Sequence, residues 1–313
     1  MNYRSIENLN QIILHRLFIL PHDFDLIVGI PRSGMFPAAL IALYLNTRLT
    51  DLDSFKNKHI YDGGERNETL NYNDIKKVLI VDDSISSGAQ LQKCKESLMD
   101  RNNIEIKYAV IYGVPNMEKE VDYFFECLPL PRLFQWNILN HNILKKSCMD
   151  IDGVLCVDPT EAQNDDGERY IDFIKNAIPL YIPKKLIGTL VTSRLEKYRP
   201  QTEAWLEKHG VQYCKLIMMK AANQEERIQI NGHAVHKAHE YKKVGYNLFI
   251  ESSLQQAIQI NILTKKPVLC TENFKIINEQ TSLFYAIKSG EKLPLIKKTL
   301  LKIKKIKKTI LHH

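Results

Sequence analysis

No run of apolar residues in this 313-residue chain reaches the roughly 18 that a membrane-spanning helix needs, which points away from an integral membrane protein. The opening "MNYRSIENLNQII" lacks the basic start and apolar core of a signal peptide, so the protein is expected in the cytoplasm. Cysteine is sparse and unpatterned. Cys94, Cys127, Cys148, Cys156, Cys214 and Cys270 form no C-x-x-C pair, and no histidine cluster has zinc-finger spacing. Reduced, mostly buried thiols are expected. There is no internal repeat, no low-complexity segment before the C-terminal tail and no evident DNA-reading motif. Net charge outside that tail is missing as well. Seven of the 43 basic residues are lysines between Leu293 and His313, and without them 36 bases face 36 acids. A neutral body therefore carries a basic tail, and no nucleic-acid partner is expected.

What the sequence does have is alternation of strand-like and helix-like runs, which predicts an α/β protein with two Rossmann-like domains and mainly parallel sheets. "DLIVGI" (25–30), "KKVLIVDD" (76–83) and "IKYAVIYGV" (106–114) read as strands. "FPAALIALYL" (36–45) and "GAQLQKCKESLMD" (88–100) read as helices. A polar stretch with several possible breaks follows, from Asn116 to Lys146. A second series then begins with "SCMDID" (147–152), "LIGTLVTS" (186–193), "YNLFIES" (246–252) and "KKPVLC" (265–270). The boundary is expected at 142–147. This gives a first domain over 1–145, a second over 146–290 and a tail over 291–313.

The stretch "VLIVDDSISSGAQL" (78–91) ends an apolar run on Asp82 and Asp83, then offers Ser84, Ser86, Ser87 and Gly88 at the start of a helix. A parallel strand of this kind ends at the crevice where ligands bind. Two carboxylates there are costly unless solvated, paired or bound. A helix N-terminus suits a phosphate, and Gly88 allows close backbone approach. Acids beside a phosphate nest fit a ligand with vicinal hydroxyls and a phosphate, as in ribose 5-phosphate. The stretch resembles the phosphoribosyl-pyrophosphate (PRPP) motif of type I phosphoribosyltransferases. The resemblance implies that Asp82 and Asp83 hold the ribose hydroxyls. It implies that Ser84, Ser86, Ser87 and Gly88, with Ala89 and Gln90, hold the 5-phosphate; Gln90 stands where the family usually has Thr or Ser. "VGIPRSGMFPAAL" (28–40) is similar to the family's pyrophosphate loop, with Arg32, Ser33 and Gly34 in place. A flexible catalytic loop is implied between the two motifs. "SFKNKHIYDGGERN" (54–67) could serve, with Lys56, Lys58 and Arg66 as alternatives for contacting the leaving pyrophosphate. Two other readings stand beside this one: an acid pair that caps a Rossmann-like helix, and a PRPP-sensing regulator.

"MDIDGVL" (149–155) places Asp150 and Asp152 two apart, on one face of an extended segment. Two such acids before a glycine turn suit a nucleophile, a proton donor and a magnesium ion. No EF-hand continuation follows, which excludes that calcium loop. The series resembles the haloacid dehalogenase superfamily of phosphatases. Its strand-end hydroxyl would be Thr192, with Ser193 next. Its lysine would be Lys237, fourteen residues before the last acid, with Lys220 as the alternative; its acidic strand end would be Glu251. The family's usual second acid at that last position is replaced here by serine. The resemblance implies Asp150 as nucleophile and Asp152 as general acid and then base. Thr192 and Lys237 would hold phosphoryl oxygens, and Mg²⁺ would sit with Asp150, Asp152 and Glu251. Neither gap between motifs, 42 residues to Thr192 and 45 more to Lys237, holds a large cap domain, so an open site and a bulky substrate are expected. Arg199 and Trp205 could face substrate or pack a helix.

Together the two halves suggest transfer of 5-phosphoribosyl from PRPP to an acceptor, followed by removal of the 5-phosphate. The pairing resembles bacterial systems that build ribofuranose into cell-surface polysaccharides, which implies a glycan acceptor, lipid-linked or free. Trp136 and Asn137 could meet a sugar or simply pack. The tail spaces Ile296, Leu300, Ile303, Ile306 and Ile310 on one helical stripe among lysines, a pattern that suits peripheral contact with an anionic membrane face. The rival enzyme is a nucleobase phosphoribosyltransferase joined to a nucleotidase in salvage.

Overall fold

The computed structural model describes residues 1–62, 70–220 and 232–288. Residues 63–67 of the candidate loop, Arg66 among them, and the basic tail lie outside the described residues. The chain divides into two units, Met1–Trp136 and Asn137–His313.

In the first unit, β1 (Asn2–Arg4) leads into α1 (Ile6–Arg16). Ser5 caps that helix: its hydroxyl accepts from the Asn8 N–H, and the Asn8 side chain accepts from the Ser5 N–H. The chain then runs through β2 (Leu26–Gly29), α2 (Met35–Leu45), β3 (Arg48–Asp51) and α3 (Leu52–Lys56). It continues through β4 (Lys77–Ile85), α4 (Ala89–Glu96), β5 (Glu105–Gly113), β6 (Tyr123–Cys127) and β7 (Arg132–Phe134). Five strands form a parallel sheet in the order β3-β2-β4-β5-β6, while β1 and β7 pair separately. The continuous apolar runs of β2 and β4 follow from burial on both faces. Ile27 and Leu79 pack with Leu9, Ile13, Ala38 and Ile41 on one side. Val28 and Ile80 pack with Leu52, Phe55 and Cys94 on the other.

The acid pair does not terminate its strand. The β4–β5 register continues from Asp82↔Val110 through Ser84↔Tyr112 to Ile85↔Gly113. Successive residues of a strand point to opposite faces, so Asp82 and Asp83 leave the sheet in opposite directions. The stretch 116–146 contains β6 and β7, which at five and three residues are too short to show a period of their own.

In the second unit, β8 (Cys148–Met149), α5 (Glu168–Asn176), β9 (Ile187–Leu195), α6 (Arg199–Lys208) and β10 (Tyr213–Met219) come first. They are followed by α7 (Gly232–Lys243), β11 (Phe249–Glu251), α8 (Leu254–Thr264), β12 (Val268–Cys270), β13 (Lys275–Ile277) and α9 (Glu279–Lys288). The sheet order is β10-β9-β8-β11-β12-β13, parallel except for the last pair. Central β8 thus has β9 and β11 as neighbours, and the carboxyl ends of all three lie together. Trp205 is an interior residue here, 1% exposed, with its indole N–H on the Ala177 carbonyl at 2.9 Å. Among the described residues no helix is long and apolar enough to cross a membrane.

Gly34 shows how closely the first unit is built around its candidate loop. A Cβ there would lie 2.6 Å from the Ile30 carbonyl oxygen and 2.7 Å from that of Val81, both backbone atoms that cannot step aside. Gly34→Ala is expected to destabilise the fold by about 1–3 kcal/mol, the usual range for overpacking, as a lower urea midpoint with an unchanged slope.

Candidate functional site

In the first unit, the pairing of β2 with β4, with Gly29 opposite Val81, brings the loop that carries Arg32, Ser33 and Gly34 beside the acid pair. Arg32 is exposed and Gly34 buried. Ser33 donates from its hydroxyl to Asp83 Oδ1 at 3.0 Å. The serine loop opens α4 at Gly88, whose φ of 77° lies in the left-handed region that favours glycine. Among the described residues the one side-chain contact at the start of that helix is a long one, from the Ala89 N–H to the Ser87 hydroxyl oxygen at 3.5 Å, which an anion can displace at the helix N-terminus. Asp82, Ser84, Ser86, Ser87, Gly88, Ala89 and Gln90 line one cavity of about 280 Å³.

Arg132, from β7, lines the same cavity, and nothing in the sequence reading selected it. Its guanidinium stands 5.6 Å over the Phe134 ring and 3.4 Å from the Tyr112 carbonyl oxygen. The signal available was a single arginine in a short, unpatterned strand. The electrostatics of the cavity are divided. Burial and then the Asp83 charge push the Asp82 carboxyl up to about 7, while Arg132 acts the other way. Asp83 is only 4% exposed and does not line the cavity. Its Oδ2 accepts from the Trp136 indole N–H at 2.7 Å.

In the second unit, Asp150 and Asp152 follow β8, Glu251 ends β11, and Lys237 projects from α7. Lys237 Nζ lies 2.5 Å from Asp150 Oδ2, 2.7 Å from Glu251 Oε2 and 2.8 Å from the Gln256 side-chain oxygen. The lysine is 1% exposed and Glu251 fully enclosed. Burial works against the Lys237 charge, and the Asp150 and Glu251 carboxylates outweigh it, raising its pKa. Burial likewise pushes the Asp150 carboxyl up, with Lys237 pulling it down. Lys220, the alternative, is exposed on the far end of β10.

Asp152 takes a different partner. Arg194, a β9 residue 1% exposed, donates to it from Nε at 3.1 Å and from Nη2 at 2.6 Å. Arg194 was not selected from the sequence, although it directly follows Thr192 and Ser193. Of those two hydroxyls, Thr192 is fully buried and accepts from the Arg194 backbone N–H at 3.1 Å. Ser193 lines the site cavity, and its buried oxygen has no hydrogen-bond partner among the described residues. That cavity, of about 580 Å³, is also lined by Asp150, Asp152, Lys237, Asp158 and Tyr181.

The structure therefore brings Asp150 and Glu251 together on Lys237 and carries the Asp152 side chain to Arg194. Among the described residues no group of three or more His, Cys, Asp or Glu is arranged to hold a metal. The donor set that converges is oxygen throughout, which fits a hard cation, but it comprises two carboxylates, Asp150 and Glu251, rather than three.

Lys237→Met would strand those two carboxylates without a cation. A broken buried pair costs about 3–5 kcal/mol, and a loss of that order is expected in urea unfolding. The sign of its pH dependence follows from Asp150: burial already raises its carboxyl and Lys237 is the group that lowers it, so without the lysine the loss should shrink as pH falls and Asp150 takes up a proton.

Residues 4–140 match the family model described as "Phosphoribosyl transferase domain". A curated xanthine-guanine phosphoribosyltransferase from Chromohalobacter salexigens is 33% identical over 107 residues, which cover 34% of this chain and 63% of that protein. The chain thus spans under two thirds of the length of that relative. Among solved structures, a xanthine-guanine-hypoxanthine phosphoribosyltransferase from Helicobacter pylori is 18% identical, with a TM-score of 0.34, over 44% of this chain and 92% of that one. A purine phosphoribosyltransferase from Pyrococcus horikoshii is 21% identical, with a TM-score of 0.30, over 43% and 92%. Residues 4–140 thus carry the likeness to that family, and the N-terminal sheet has the type I phosphoribosyltransferase fold.

Proposed function

We propose that the protein transfers 5-phosphoribosyl from PRPP to an acceptor with its first unit and removes the 5-phosphate with its second, leaving a plain ribofuranosyl group. The observation that carries this reading is the presence, in one chain, of two sites of complementary chemistry. One is a phosphate cradle bordered by Asp82 and Arg132; the other is a cavity built on the buried Asp150–Lys237 pair.

In the first unit the α4 N–H groups and the loop hydroxyls receive the 5-phosphate. Arg132 adds a cation to the same cavity, and the Asp82 carboxylate accepts from a ribose hydroxyl. The loop at Arg32–Gly34 meets the pyrophosphate that leaves as the acceptor attacks the anomeric carbon.

In the second unit Asp150 attacks phosphorus, the ester oxygen leaves, and water then hydrolyses the aspartyl-phosphate. Lys237 screens the phosphoryl charge from one side. The Ser193 hydroxyl, lacking a partner at the cavity wall, can donate to a phosphoryl oxygen, while the Thr192 hydroxyl accepts from the Arg194 backbone N–H at the end of β9. Arg194 fixes the orientation of Asp152, the group placed to exchange protons with the leaving oxygen and with water. A magnesium ion would draw on Asp150 and Glu251, and when bound it supplies further neutralisation of the transferring phosphoryl group.

The acceptor we propose is a glycan, because a transfer followed by loss of phosphate ends in a sugar residue rather than a nucleotide. A nucleobase acceptor is the second reading. It is favoured by the name of the curated relative, a xanthine-guanine phosphoribosyltransferase. Incubation with PRPP and Mg²⁺ separates them: pyrophosphate release that needs an oligosaccharide supports the first, and release with guanine or xanthine supports the second. Mass analysis of products from Asp150→Asn should show a pentose that still carries phosphate, with pyrophosphate release retained. A variant product without that phosphate would remove Asp150 from the second step.

Two binding predictions concern the cradle. Arg132→Gln should weaken PRPP about tenfold or more, the order of a charge-assisted hydrogen bond, in calorimetric titration. Because the Asp82 carboxyl is raised to about 7, it gains a proton and loses acceptor capacity as pH falls. PRPP affinity should therefore drop between pH 8 and pH 6 by up to about tenfold per unit, and Asp82→Asn should flatten that dependence.

A further inference from the structure

The two adjacent acids of the PRPP motif do different work here. They sit within β4, where neighbouring side chains face opposite ways. Asp82 lines the phosphate cavity; Asp83 does not. Asp83 is 4% exposed, and both of its carboxylate oxygens are already occupied. Oδ1 accepts from the Ser33 hydroxyl at 3.0 Å and Oδ2 from the Trp136 indole N–H at 2.7 Å. Its backbone N–H in turn donates to Asp82 Oδ1 at 2.8 Å, which fixes the rotamer of the acid that faces the cavity. Among the described residues Asp83 takes part in no ion pair, so neutral donors hold its charge.

Trp136 is itself held in place. Its ring stacks on Phe134 at 4.8 Å and 13°, lies 25° from the plane of Tyr112, and meets Phe36 edge-on. Phe36 belongs to α2, which begins one residue after the Ser33–Gly34 turn. The aromatic stack and the pyrophosphate loop thus close on one buried carboxylate from two sides. An aromatic placed there for packing alone would have no need of an N–H aimed at a charge. A buried carboxylate, by contrast, loses heavily when a donor is withdrawn.

We propose that Trp136 is a positioning residue for the donor site. Its indole N–H, with the Ser33 hydroxyl, fixes Asp83 as a strut between the loop after β2 and the residues after β7, and leaves Asp82 as the acid that meets the ribose. This inference rests on the PRPP reading above.

The test is a double-mutant cycle read by calorimetric titration of PRPP in Mg²⁺ buffer. Trp136→Phe keeps the stack and deletes the N–H, and should weaken PRPP about tenfold, the lower end for a hydrogen bond to a charged group. In the Asp83→Asn background the same change should cost less than threefold, because the charge it serves is gone. Equal PRPP affinity of Trp136→Phe and wild type overturns the inference, as does an equal loss in both backgrounds, which marks a purely structural role. If Trp136→Phe fails to show native circular dichroism, Ser33→Ala, which removes the opposite donor, carries the same cycle with the same two overturning results. A wild-type chain that binds no PRPP overturns the donor reading and this inference with it. Binding by wild type with no effect of either variant overturns this inference alone.

Discussion

A carboxylate withdrawn from water must find donors or cations within hydrogen-bond reach, and both sites of this chain are organised around that requirement. Asp83 meets it with two neutral donors, Ser33 and Trp136. Asp150 and Glu251 meet it with one shared ammonium, Lys237. Asp152 meets it with the two-pronged guanidinium of Arg194. These partners fix rotamers, so the demand that burial makes on each charge also sets the geometry available to a substrate.

Asp82 departs from the rule, and the departure is informative. It borders an open cavity and, among the described residues, has no ion pair to hold it, and burial pushes its carboxyl up. Its nearest cation, Arg132, lines the same cavity. An acid and an arginine that share a cavity without closing on each other leave room for a ligand with hydroxyls at one end and a phosphate at the other. The interior partners are saturated; the cavity-facing ones are not. In the second unit the Ser193 hydroxyl fits the same description on a smaller scale.

The parallel sheet supplies the rest. Because β2 and β4 run side by side, the Arg32–Gly34 loop and the acid pair, about fifty residues apart in sequence, emerge at the same edge. In the second unit β9 and β11 flank β8, so motifs spread over a hundred residues meet at Asp152, which Arg194 and the Ser252 hydroxyl both reach. Right-handed crossovers between parallel strands make this convergence a general property of such sheets.

By itself the sequence determined the α/β class, the strands read at 25–30, 76–83, 106–114 and 186–193, and the two acid-bearing motifs, because long apolar runs and dense short motifs are local signals. The resemblance to the phosphatase motifs also pointed to Lys237, with Lys220 as the alternative, and to Glu251. Alternation along β4 was legible in principle, yet reading the strand as ending at Asp82–Asp83 hid it. Only the tertiary structure decided that β4 runs on to Ile85, that Asp83 turns inward to Trp136, that Asp152 goes to Arg194 and that Arg132 joins the cradle. The physical reason is range: each of those outcomes depends on which element lies alongside, and a pairing between residues 28 to 53 positions apart leaves no mark on the residues immediately around either partner.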